Sequence, residues 1–159
     1  MNMENNLTDE LLDDEFNLTE ADENLNKYLT FISAELVYGI PIDNVVEIIT
    51  NPGITSLPMV PSYVKGIMNL RGQIVPIIDI RQIMNKPVNE DAAITCVIIL
   101  EIDSISIGVL VDTVLQVINV NNKLSDPPSK NLDFINGMTN LIDGTVMFSL
   151  DCQALISNK

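Results

Sequence analysis

The chain has no histidine, two cysteines and only 4% aromatic residues among its 159. Without histidine, the commonest general base at neutral pH is missing. Cys96 and Cys152 have no histidine to activate them, and their spacing is not that of a zinc site. Neither a GxGxxG nor a GxxxxGK phosphate loop is present, and the acidic residues near the start lack the D-x-[DN]-x-[DN]-G pattern of a calcium loop. Bases are scarce: 8 Lys and Arg stand against 22 Asp and Glu, for a formal charge of −14. A surface of that sign repels phosphate backbones, which argues against nucleic-acid binding. No apolar run approaches the ~18 residues that a spanning helix needs. No basic stretch followed by an apolar core marks a secretory signal, and two cysteines make no disulfide framework, so a cytoplasmic location is expected. No catalytic, cofactor-binding or metal-binding residue is assigned, and the chain reads as a non-enzyme.

What the chain does have is aliphatic. Apolar residues make up 47% of it, with Val and Ile prominent, and β-branched side chains favour strands. The charge is uneven. Residues 1–26 hold nine acids and no base, leaving 13 acids against 8 bases for the rest. This reads as an acidic tail, residues 1–26, ahead of a mildly acidic domain, residues 27–159. The tail is expected to be disordered. A sharper reading makes "LTDELLDDEF" a short amphipathic helix capped by Thr8, with Leu7, Leu11 and Leu12 on one face for a partner.

From Lys27 onward, short β-rich runs alternate with Gly, Pro, Asn and Asp. Strands are expected at Tyr28–Ser33, Leu36–Ile40, Val45–Thr50, Val64–Leu70 and Gln73–Ile78, then at Ala93–Ile102, Ile105–Val111, Val114–Val120, Phe134–Leu141 and Thr145–Ser149. Helical pieces are expected at Asp79–Met84 and Asp151–Ile156, each opened by an aspartate that can cap its N–H groups. Cys96 reads as a small core hydrophobe. The fold class is all-β, a barrel or sandwich architecture.

The chain repeats itself. A shift of 69 lays "VYGIPIDNVVEII" over "SIGVLVDTVLQVI", so that Gly39 meets Gly108, Asp43 meets Asp112 and Val45 meets Val114. A shift of 71 brings Gly66 onto Gly137 and Asn69 onto Asn140, and one further residue of shift puts Gly72 on Gly144 and Asp79 on Asp151. The repeat reads as two similar small barrels burying a shared face. Asp43 and Asp112 are expected to hold turns or caps. The differences between the halves say more about function. Glu47 matches Gln116, and Arg71 matches Ile142. A charge on a strand or at its turn is costly to bury unless paired. Either both charges are simply exposed, or they form a pair on a partner-facing surface.

"YGIPIDNVVEII", "LPMVPSYVKGIMNLRGQIVPIIDIR" and "IGVLVDTVLQVI" together resemble the CheW-type coupling proteins of bacterial chemotaxis. The resemblance covers about residues 27–156. It implies two five-stranded SH3-like β-barrel subdomains, intertwined around a common core with short helices. It implies an adaptor without enzymatic activity or cofactor, bridging the cytoplasmic tip of a chemoreceptor (a methyl-accepting chemotaxis protein) to the regulatory domain of the histidine kinase CheA. The location implied is cytoplasmic, at membrane-associated receptor arrays. In such proteins the Arg of the "NLRG" motif belongs to a receptor-binding groove between the subdomains. Here that is Arg71, with Val45, Glu47, Gly66, Gly108 and Val114 at matching positions, and Glu47 is expected to carry the partnering charge. Two departures stand out: the long acidic tail, and the two prolines of "KLSDPPSKNLDF". With the chain ending at Lys159, no fused receiver or kinase region is expected. A coupling protein of a pilus-motility system would share all these features, whereas a small enzyme using the groove would have to work without histidine.

Overall fold

A computed structural model describes residues 27–83, 96–120, 124–127 and 134–157. The tail, and with it the helix considered at Thr8, lies outside the described residues. So do Ala93 and Met84, at the ends of two expected elements.

Ten strands appear where the β-rich runs predict them: β1 Lys27–Ser33, β2 Leu36–Pro41, β3 Val45–Thr50, β4 Val64–Leu70, β5 Gln73–Asp79, β6 Cys96–Ile102, β7 Ile105–Val111, β8 Thr113–Asn119, β9 Ile135–Asn140 and β10 Val146–Leu150. A single 3₁₀ turn, Ile42–Asn44, joins β2 to β3. The two short helices are α1, Ile80–Ile83, and α2, Cys152–Ser157. Each follows its expected aspartate. Asp79 Oδ1 accepts the Arg81 N–H at 3.0 Å, and Asp151 Oδ1 accepts the Ala154 N–H at 3.3 Å.

The strands form two five-stranded sheets, ordered β8-β1-β2-β10-β9 and β3-β6-β7-β5-β4. Renumbering each strand by its repeat partner (β1 as β6, β2 as β7, and so on) turns one order into the other. Registers follow the same rule. Thr30 faces Gly39, and 69 residues later Ile99 faces Gly108. Tyr63 O receives the Asp79 N–H and Phe134 O receives the Asp151 N–H, both at hairpins of matching place.

The two halves are intertwined, as expected. Each sheet takes three strands from one half of the sequence and two from the other. The chain changes sheets after β2, through the 3₁₀ turn, and again after β7, at Asp112. A barrel therefore cannot form from either half alone, and the two halves are intertwined.

Burial explains the near-continuous apolar runs of the central strands. One face of each sheet packs against the other sheet. That shared core holds Leu29, Phe31, Tyr38 and Ile40 from the first sheet, with Ile98, Leu100, Val109 and Val111 from the second. Phe31 and Tyr38 stack with ring centroids 5.6 Å apart. The opposite face of the second sheet closes on itself around Met68, Val75, Ile77, Val97, Ile99 and Leu110. Ile49 of edge strand β3 and Met68 of edge strand β4 meet in this cluster, so the sheet is rolled into a barrel. Strands buried on both faces lose the alternation of half-exposed ones, which is why "VIIL" in β6 is apolar throughout.

Candidate functional site

The hairpin between β4 and β5 turns on two residues, Arg71 and Gly72, between the paired Leu70 and Gln73. Both have positive φ, 53° and 85°, which is the type I′ turn that suits the strand twist. Gly72 takes this conformation freely, whereas Arg71 does so against the preference of its Cβ. Asn69 Oδ1 accepts the Gly72 N–H at 2.9 Å and braces the turn.

From this turn the Arg71 guanidinium reaches Glu47 on β3. Arg71 Nη1 donates to Glu47 Oε1 at 2.6 Å. The arginine side chain is 72% exposed and the glutamate 28%. The hydrogen bond to Glu47, then the glutamate's charge, raises the Arg71 pKa above its ordinary value. The two charges are therefore paired, with the arginine itself exposed. Both partners belong to the second barrel. The pair spans from its edge strand β3 to the tip of the β4–β5 hairpin.

Three of the six residues singled out in the sequence fall on one line across this sheet. Glu47 pairs with Ile99, Ile99 with Gly108, Gly108 with Ile77, and Ile77 with Gly66. Both glycines are buried. A Cβ on Gly108 would meet the side chains of Ile77 and Val97; one on Gly66 would meet the carbonyl of Thr55 and the side chain of Ile54. At Gly66 the backbone of the β3–β4 connection comes close because Thr55 and Ile67 exchange hydrogen bonds of 2.8 and 2.9 Å. Val45 lies two residues before Glu47 on the same strand, and Val114 near the start of β8 in the other sheet. Both are half-buried against the shared core, each just past a crossover.

Arg81 carried no sequence assignment and proves central to the architecture. It is 5% exposed. Its Nε and Nη2 donate to the two Asp79 oxygens, each at 3.0 Å, and its Nη1 donates to Asp112 Oδ1 at 3.1 Å. Asp112 Oδ2 accepts the Ala34 N–H at 2.9 Å from the β1–β2 turn. This chain of hydrogen bonds runs from one barrel to the other. Asp112, expected to hold a turn or a cap, ties the two barrels together instead. The matching place in the other half holds Gln153, which donates to Asp103 at 2.9 Å. The signal in the sequence was a lone arginine following "PIIDI", a run otherwise too apolar to leave a charge in solvent.

Two five-stranded sheets that exchange strands, one of them spanned by an ion pair from its edge strand to a hairpin tip, define a double SH3-like fold. The profile of the family described as "CheW-like domain" matches residues 27–159. A "Chemotaxis protein CheW" from Treponema pallidum is 31% identical over 141 residues, covering 82% of this chain and 82% of that protein. One from Helicobacter pylori is 28% identical over 120 residues, covering 76% and 73%. The crystal structure of "scaffolding protein TtCheW" from Thermoanaerobacter tengcongensis superposes with a TM-score of 0.73 at 30% identity, covering 79% of this chain and 88% of that one. The chain belongs to the CheW family of chemotaxis adaptors.

Proposed function

We propose that this protein couples a chemoreceptor tip to the regulatory domain of the histidine kinase CheA, without turnover of its own, and that the Glu47–Arg71 pair faces the receptor. The observation that carries the reading is the asymmetry of an otherwise symmetric molecule. Glu47 and Arg71 form a 2.6 Å pair on the second barrel, while their repeat partners are the uncharged Gln116 and Ile142. Packing does not require the charges, since the exposed arginine sits at a turn that most sequences would give to Asn or Gly. A fixed charged pair whose arginine stands mostly in water favours recognition over stability. Val45 and Val114 add apolar surface beside the crossovers. Gly66 and Gly108, having no side chain and being buried, act by keeping the sheet that carries Glu47 in shape.

The test is calorimetric titration of Arg71→Ala against a receptor signalling fragment and, separately, against the CheA regulatory domain. Receptor affinity should fall at least about tenfold while kinase affinity holds. Equal losses for both partners, or none, would remove Arg71 from the receptor surface. Co-sedimentation with receptor and kinase together reports whether the wild-type chain recruits both to membranes.

A further inference from the structure

The edge strands β3 and β8 are repeat counterparts, and they are held unequally. Each follows a sheet crossover and carries one extra residue near its start. Val45 and Glu47 face the neighbouring Leu100 and Ile99, and Val114 and Val117 face Phe31 and Leu29. Such a bulge breaks the ladder and leaves backbone groups in need of partners. On β8 the Thr30 hydroxyl serves them: it donates to the Gln116 carbonyl at 2.6 Å and accepts the Gln116 N–H at 3.2 Å. Beside β3 the place of Thr30 is taken by Ile99, which has no hydroxyl to offer Glu47. The crossovers differ in the same sense. Ahead of β8, Asp112 is bound by Arg81, by the Ala34 N–H, and through its own N–H by the Ile32 carbonyl at 3.0 Å. Ahead of β3, its counterpart Asp43 is exposed, no side chain caps the turn Ile42–Asn44, and none of the three residues is buried. Gln153, in the place of Arg81, bypasses Asp43 and donates to Asp103 in an exposed contact.

We propose that Ile42–Ile48, the first crossover with the start of β3, is an adjustable arm that shifts when the receptor binds, while β8 and its crossover stay fixed. The receptor half of this statement rests on the reading that puts Glu47 on the receptor surface. Two independent braces, a buried guanidinium and a bulge-clipping hydroxyl, are present at β8 and missing at β3, so the difference is concentrated on one strand. Elements that adapt to a ligand are drawn from the least stable parts of a fold. The shared core limits the movement. Ile42 and Val45 only lean on it, whereas Phe31, Ile98, Leu100 and Val109 are fully buried within it, so the arm moves over an intact core and the barrels stay together. A receptor can displace the arm only by as much as it prefers the displaced form, so a brace added to the free form opposes binding.

The experiment is amide hydrogen exchange of the full chain, resolved by NMR and run first without partners. Residues 45–48 should exchange at least about tenfold faster than residues 114–117. Thr30→Val, which removes the hydroxyl and keeps the shape, should speed exchange at 114–117 at least about fivefold and leave 45–48 as they are. Gln153→Arg offers Asp151 and Asp43 the arginine that Asp79 and Asp112 share in the other half. It should slow exchange at 42–48 at least about fivefold. Titrated with a receptor signalling fragment, the same variant should bind at least about threefold more weakly, with its affinity for the CheA regulatory domain unchanged. Equal exchange in the two strands, or a Gln153→Arg variant unaltered in exchange or in receptor affinity, would overturn the proposal. Weaker receptor binding in Gln153→Arg but not in Arg71→Ala would support the arm and take the ion pair off the receptor surface, so the two readings fail separately.

Discussion

Arg81 and Asp112 stand 31 residues apart in sequence, and their side chains meet at 3.1 Å where the chain leaves one barrel for the other. Asp112 also holds the Ala34 N–H of the opposite barrel, and Arg81 is clamped by Asp79, so one buried guanidinium fixes the relation of three elements. Arg81→Ala would strand the 2%-exposed Asp79 carboxylate. Removing one member of a buried pair costs about 3–5 kcal/mol. The melting temperature should fall by roughly 6–20 °C at this chain length. Replacing Asp79 by leucine together with Arg81 by methionine should recover most of that loss. Thermal unfolding followed by circular dichroism checks both, and a drop under about 2 °C for Arg81→Ala would show that the network is dispensable.

The Glu47–Arg71 pair should behave in the opposite way. Being exposed, it is screened by water and salt. Glu47→Arg combined with Arg71→Glu should fold as the wild type does and restore the 2.6 Å contact in reverse. If the pair only braces the hairpin, receptor-fragment binding returns in the double variant. If its orientation is read by the receptor, binding stays at least about tenfold down, and the titration distinguishes the two.

Glycine substitutions should rank by what a Cβ would strike. Gly66→Ala pushes against the Thr55 carbonyl, a backbone atom that can move only by breaking the bridge to Ile67. Gly72→Ala meets nothing within 4 Å and carries only the cost of its φ of 85°. Chemical denaturation should therefore show Gly66→Ala destabilised more than Gly72→Ala by at least about 1 kcal/mol. A reversed order would mean that the β3–β4 connection yields easily.

The two thiols should react at different rates. Cys152 is buried, and burial pushes its thiol from 9.0 up to about 11. Cys96 is half-buried. Iodoacetamide at pH 8 should label Cys96 first, as read by mass spectrometry of the intact protein and its digests. The same shift sets a pH dependence. The unfolded thiol loses its proton near 9 and the folded one near 11, so the unfolded state binds fewer protons in that window and stability falls as pH rises through it. Below pH 9 the contribution is complete. Cys152→Ala should flatten this part of the stability profile.

Local pattern alone located the strands, the hairpin turns and the repeat. A strand's alternation and a turn's residue types are short-range signals, so Arg71–Gly72 and the capping aspartates could be placed from a few neighbours. The family motif then attached a function to Arg71. Which sheet each strand joins was beyond such signals. β6 and β7 are apolar on both faces, so their sequences do not say which face meets which sheet. The two crossovers decide that, and they place three strands of one half beside two of the other. Only this exchange brings Arg81 to Asp112 and lines up Glu47, Gly108 and Gly66 on one row. Such contacts join residues tens of positions apart. They depend on how whole sheets pack, and a single sequence records propensity and period but not that pairing.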